Sequence, residues 1–170
     1  MMLGIITYGS LINPQETVGL EAPPSHTIPL KLSAFKRSFN QQPVWRKSTS
    51  EHSAVLNVQT SDQDWLNAVC YCYLNFDFTT LDNRERGYTR KVVRSDRINC
   101  YMGYSLPDLD KVFIYLGKKE YENGTILPNP DYLNICLAGA KHWGEAFYRD
   151  FLNTTHVNNG IILRDHIQSS

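Results

Sequence analysis

The chain has 170 residues, with 17 basic and 17 acidic side chains and a formal net charge of zero. Hydrophobic residues make up 42% and charged residues 20%, which excludes a disordered chain and leaves enough apolar surface for one domain spanning 1–170. A protein that binds nucleic acid by neutralising phosphates carries a basic excess, and this one has none, so no nucleic-acid partner is expected.

The elements follow in chain order. Leu3 to Thr7 is a short apolar run ending in Tyr8-Gly9-Ser10 and reads as a strand. Segment 15–27, with Pro23 and Pro24, reads as a loop or short helix. Ile28 to Phe39 reads as a strand with Leu30, Leu32, Ala34 and Phe35 inward, and the polar residues 40–52 read as a long loop. Val55, Leu56 and Val58 mark one strand, and Ala68 to Phe76 a second, well-buried one. Phe78 to Arg86 suits a helix, with Gly87 at the place of a C-terminal cap. Tyr88 to Arg94, Ile98 to Tyr104 and Val112 to Leu116 read as three further strands.

A loop with Gly124, Pro128 and Pro130 then leads to the strongest helical signal. Asn129 suits a cap, Pro130 the first turn and Asp131 the positive helix end. Leu133, Cys136, Leu137, Ala140, Gly144, Phe147 and Phe151 recur in steps of three and four over 131–153. Gly139 and Gly144 suit a break into two helices, and the tail from Asn159 suits a strand followed by a frayed end. Strands without alternating helices, plus a helical C-terminal segment, predict an α+β class.

No run reaches the roughly 18 apolar residues of a membrane span, and MMLGIITYGSLINP lacks a basic flank, so neither a membrane partner nor a secretion signal is expected. Cys70, Cys72, Cys100 and Cys136 have no CxxC spacing and suit free thiols in the cytoplasm. The sequons at Asn123 and Asn153 carry meaning only in a secreted protein. His26, His52, His142, His156 and His166 are scattered, so no zinc spacing arises and no metal is expected; a Cys-His nucleophile pair stays open.

Two features could carry chemistry. Tyr8-Gly9-Ser10-Leu11 opens from the first strand, and such a turn either just ends the strand or clusters backbone N–H groups around a carboxylate or oxyanion. Glu85 lies between Arg84 and Arg86, and is either a solvated surface charge or a general acid/base. Arg84, Arg86, Arg90, Lys91 and Arg94 could instead take an anionic ligand. Tyr88 and Tyr132 lie near these features in the sequence.

Taken in order, YGSL at Tyr8–Leu11, RERGY at Arg84–Tyr88 and the helical DYLNICLAGAKHWGEAFYRDFLNTT at 131–155 resemble the gamma-glutamylcyclotransferase-like superfamily, with the ChaC-like, glutathione-degrading branch as the nearest subgroup. The resemblance implies a small mixed β-barrel with short helices, a C-terminal helical segment and a cavity at its mouth. It implies release of 5-oxoproline from glutathione or another gamma-glutamyl amine, with no cofactor. Carried over by position, Glu85 matches the catalytic glutamate, Tyr8, Gly9, Ser10 and Leu11 match the substrate loop, and Tyr88 lies in the matched motif as a further substrate-binding candidate. The single Gly87 stands where some ChaC-like members have two glycines, which bears on the substrate.

The chemistry fits those residues. At neutral pH the substrate's alpha-amine is an ammonium and needs a base before it can attack the gamma-carbonyl. Arg84 and Arg86 would oppose a basic Glu85 if they faced it, so they are expected to point away or to meet the substrate's far carboxylate. Gly9 is expected to allow close approach or a turn of positive φ. The expected partner is a small gamma-glutamyl molecule, and oligomeric state stays open. The alternatives are a non-catalytic small-ligand binding or regulatory domain on this fold, and a related lyase acting on another gamma- or epsilon-linked glutamyl compound.

Overall fold

In the computed structural model, residues 1–20, 22–44 and 50–170 are described. The apolar run near the start becomes β1 (Met2–Thr7), whose last five residues are all buried. Burial on both faces explains why it reads as an unbroken apolar stretch rather than an alternating one. It lies between β3 (Val55–Leu74), antiparallel to it, and β6 (Lys111–Gly117), parallel to it.

The long β2 (His26–Gln41) lies on the far side of β3. β4 (Tyr88–Val92) flanks β6, β5 (Ile98–Cys100) flanks β2, and a two-residue β7 (Thr155–His156) also joins β2. The strand path is β4-β6-β1-β3-β2-β5. The α+β class is as expected, and the mixed sheet is an open one. Among the described residues no ladder joins β4 to β5, so the barrel does not close through hydrogen bonds.

Helices α1 (Thr79–Arg84), α2 (Pro130–His142), α3 (Glu145–Thr154) and α4 (Leu163–Gln168) complete the chain. None of them is long and apolar enough to cross a membrane. Asn129 caps α2, its side chain accepting from Tyr132 N at 3.0 Å. The helical segment breaks at Gly144, which has φ +98, where only glycine is unstrained. Gly139 does not break it. It lies buried within α2, and a Cβ there would stand 2.7 Å from Asn13 N, so this glycine lets α2 press onto the loop after β1.

Several boundaries differ from the reading of the sequence. Val55–Leu74 is one strand with an irregular middle. Ser33 pairs Trp65 and Phe35 pairs Thr60, so Ser61 to Asp64 stand opposite Ala34 alone. Ala34 therefore adopts φ +66 and is not a core residue. The bulge also reverses which residues face inward. Leu30 and Leu32 are buried before it, and Phe35, Arg37, Phe39 and Gln41 after it.

β2 runs on to Gln41, so the polar loop read over 40–52 starts later; residues 45–49 of it lie outside the described residues, as does residue 21 of segment 15–27. The segment read as a strand over 98–104 stops at Cys100. Helix α1 is capped by Glu85, whose N–H bonds Leu81 O at 2.9 Å, and not by Gly87. In the tail a helix, α4, stands where a strand was expected.

Candidate active site

β1 ends at Thr7 while both neighbours continue, β6 to Gly117 and β3 back toward Val55. The sheet forks there, and side chains bridge the gap. Asn57 Oδ1 accepts from Gly117 N at 2.7 Å, and Gln41 Nε2 donates to Gly87 O at 2.9 Å. A cavity of about 320 Å³ opens in the fork. Tyr8, Gly9, Ser10, Leu11, Glu85 and Tyr88, the six residues singled out in the sequence, all line it.

Every carbonyl of residues 8–12 is engaged. Arg37 Nη1 donates to Tyr8 O at 3.2 Å, Ile12 N to Gly9 O and Asn13 N to Ser10 O at 3.1 Å, Tyr71 Oη to Leu11 O at 2.8 Å, and Trp143 Nε1 to Ile12 O at 2.9 Å. The loop is thus clamped by its acceptors. The N–H groups of Ser10 and Leu11 precede the first bond of the turn, where no helical carbonyl is available to them.

Glu85 is positioned by α1. Asp77 Oδ1 accepts from Thr79 N at 2.9 Å to start this short helix, and Leu81, 1% exposed, anchors it. The turn closes when Tyr88 N donates to Glu85 O at 2.9 Å. The Glu85 side chain is mostly buried, and that burial raises its carboxyl pKa above the ordinary value, with Arg84 opposing. Arg84 does not point away: its Nε lies 3.9 Å from Glu85 Oε1, and it too lines the cavity. Burial outweighs it because a long, partly exposed ion pair is well screened.

The other basic residues are elsewhere. Arg86, Lys91 and Arg94 are exposed and do not line the cavity. Arg90 lies over the Phe78 ring at 3.8 Å and pairs with Asp82 at 3.4 Å. The five basic residues therefore form no common anion site, and Arg84 alone reaches this cavity.

Four tyrosines, Tyr8, Tyr88, Tyr115 and Tyr132, line the same cavity. Tyr8 Oη donates to Tyr115 O at 2.5 Å and Tyr88 Oη to Leu56 O at 2.7 Å, while Tyr132 Oη accepts from Leu56 N at 3.4 Å. Tyr115 Oη donates to Asp82 Oδ1 at 2.6 Å. Burial pushes all four phenols up, so they stay neutral donors at physiological pH. Gly9 has φ −117, so no positive φ is needed. Its smallness matters because a Cβ would strike the Tyr132 hydroxyl.

Arg37 and the placement of Tyr132 and Tyr115 escaped sequence reasoning. Among the described residues no histidine or cysteine lines this cavity, so no Cys-His pair lies in it. Burial pushes the Cys136 thiol up to about 12. Among the described residues no three His, Cys, Asp or Glu side chains converge as a metal site would require.

The architecture is that of the gamma-glutamyl cyclotransferase fold. A solved structure described as a gamma-glutamyl cyclotransferase superposes with a TM-score of 0.67 at 17% identity, covering 100% of both chains. An uncharacterised protein from Homo sapiens gives 0.67 at 19% identity over 98% of each chain. A yeast gamma-glutamyl cyclotransferase specific to glutathione gives 0.56 at 16% identity, covering 91% of this chain and 97% of that one. No family model matches the chain, and no curated protein matches it.

Proposed function

We propose that this protein is a gamma-glutamyl cyclotransferase that releases 5-oxoproline from glutathione or another gamma-glutamyl amine. The observation that carries the reading is the meeting of Glu85, a carboxyl with raised pKa, and the Tyr8–Leu11 loop in one cavity. Glu85 takes a proton from the substrate's alpha-ammonium. The freed amine attacks the gamma-carbonyl carbon, forming a five-membered ring and an oxyanion. N–H groups of the Gly9–Leu11 turn stabilise that oxyanion. Glu85 passes its proton to the leaving nitrogen and takes the second proton of the ring nitrogen, the amide C–N bond breaks as the oxyanion collapses, and that second proton departs with the released amine as its ammonium. Products are 5-oxoproline and the free amine, with no water consumed. Ring closure is intramolecular, so the protein has only to fold the chain of the substrate and move two protons from the attacking nitrogen to the leaving one.

The deciding experiment is incubation with a panel of gamma-glutamyl compounds, glutathione and epsilon-linked lysine conjugates included, with 5-oxoproline followed by mass spectrometry. Release from at least one compound is expected. Tight binding without release from any would favour a binding domain on the same fold.

The reaction as drawn uses neither thiol nor metal. Turnover is therefore expected to persist in chelator and reductant, and after Cys136→Ser apart from a packing loss. Loss in chelator that added zinc restores would refute this. Four free cysteines suit the cytoplasm, where we place the protein.

A further inference from the structure

We propose that Arg37 is a positioning residue of this site, whose buried positive charge, delivered through the Tyr8 carbonyl, strengthens the Gly9 N–H as an oxyanion donor. The inference rests on the cyclotransferase reading.

The Arg37 side chain is fully buried, and each of its five N–H bonds has an acceptor. Nε donates to Thr155 Oγ1 at 2.8 Å, Nη1 to Asn67 O at 2.6 Å and Tyr8 O at 3.2 Å, and Nη2 to Asn67 Oδ1 at 2.8 Å and Thr154 Oγ1 at 2.9 Å. None of these acceptors is a carboxylate. The guanidinium also lies 4.2 Å from the centre of the Phe151 ring. Burial lowers its pKa to about 9, so it remains a cation at neutral pH.

A buried charge without a counter-ion is costly, and a neutral side chain could have joined β2, β3 and α3 more cheaply. Tyr71 and Trp143 show that neutral donors suffice to hold the neighbouring carbonyls of the loop. The charge is therefore placed at one carbonyl, the one whose peptide group carries the Gly9 N–H. Donation to that carbonyl polarises the whole peptide unit and makes its N–H a stronger donor. With no carboxylate among the described residues paired to it, the cation also keeps a positive potential beneath the loop, where the tetrahedral oxygen gathers charge. Both effects grow as the transition state forms, so they act on kcat more than on KM.

The test compares Arg37→Met with Arg37→Lys. Both lose most of the five hydrogen bonds and are expected to melt at similarly lowered temperatures, but only Lys keeps the charge. Arg37→Met is expected to lower kcat about tenfold to a hundredfold, with KM changed less than about threefold. Arg37→Lys is expected to recover most of that loss, and the Gly9 amide proton is expected to move upfield in the Met variant only. Equal kcat in two folded variants, or an unmoved Gly9 resonance, would overturn the proposal. If neither variant folds, isotope-labelled wild-type protein decides. A scalar coupling across the hydrogen bond from Arg37 Nη1 to the Tyr8 carbonyl carbon is expected, and its absence overturns the inference. A wild type that releases no 5-oxoproline would refute the cyclotransferase reading instead.

Discussion

Glu85→Gln is expected to lower turnover by roughly 10²–10⁴-fold while leaving the protein folded. The amide keeps the size of the side chain but cannot take the ammonium proton. The same change is expected to stabilise the fold at neutral pH. An exposed glutamate in the unfolded chain titrates near its ordinary value of 4.5, whereas burial in the fold raises that of Glu85. The folded state thus holds the proton more tightly, and wild-type stability falls as pH rises from the unfolded value through the folded one. Gln does not titrate. Its advantage in melting temperature over wild type should be present at pH 7 and vanish below about pH 4. Wild-type kcat/KM should rise with pH as Glu85 ionises, and that limb should be missing from any residual activity of the variant. A folded Glu85→Gln protein with near-normal turnover would remove Glu85 from the chemistry.

Gly9→Val is expected to weaken binding of a gamma-glutamyl analogue by about 100-fold or more. The clash is specific: the added carbon meets the Tyr132 hydroxyl, with Leu56 Cβ 3.6 Å away. Tyr132 cannot easily yield, because its ring packs edge-on to Phe39 at 6.1 Å and its helix is pinned against Asn13. No left-handed turn is involved, since φ at Gly9 is −117. The double change Gly9→Ala with Tyr132→Phe, which removes the obstructing oxygen, should recover much of the binding. Ser10→Ala should cost no more than about tenfold, the worth of one hydrogen bond. Calorimetric titration with 5-oxoproline, alongside melting curves, separates these outcomes. Wild-type affinity in folded Gly9→Val would place the ligand away from this loop.

What the sequence made legible was local. The doubly buried β1 announced itself as a continuous apolar run. The Asn129 cap, the break at Gly144 and the end of a strand at Tyr8 each depend on a few neighbouring residues. Arg37 shows where that legibility stops. Extending the inward positions Leu30 and Leu32 by twos puts Lys36 inward and residue 37 on the outer face. Only the bulge at Ala34 turns it inward, and that bulge depends on a four-residue irregularity in β3 nearly thirty positions later. The contact between Tyr132 and Gly9 is hidden for a similar reason, because it requires α2 to dock at Gly139.

The central place of β1 has a consequence for synthesis. The strand leaves the ribosome before either of its flanking strands, and one of the two comes late. Ile6 and its β6 partner Ile114 are separated by about 110 residues, which take on the order of 5–20 s to translate at ~5–20 residues per second. During that interval an apolar ribbon has at most one side covered, which makes it a natural client for a chaperone. The loop after it gains the Trp143 clamp only when α2 is complete. Nascent chains cut short before then would carry every residue of the YGSL and RERGY motifs without the finished clamp on the loop that holds the first of them.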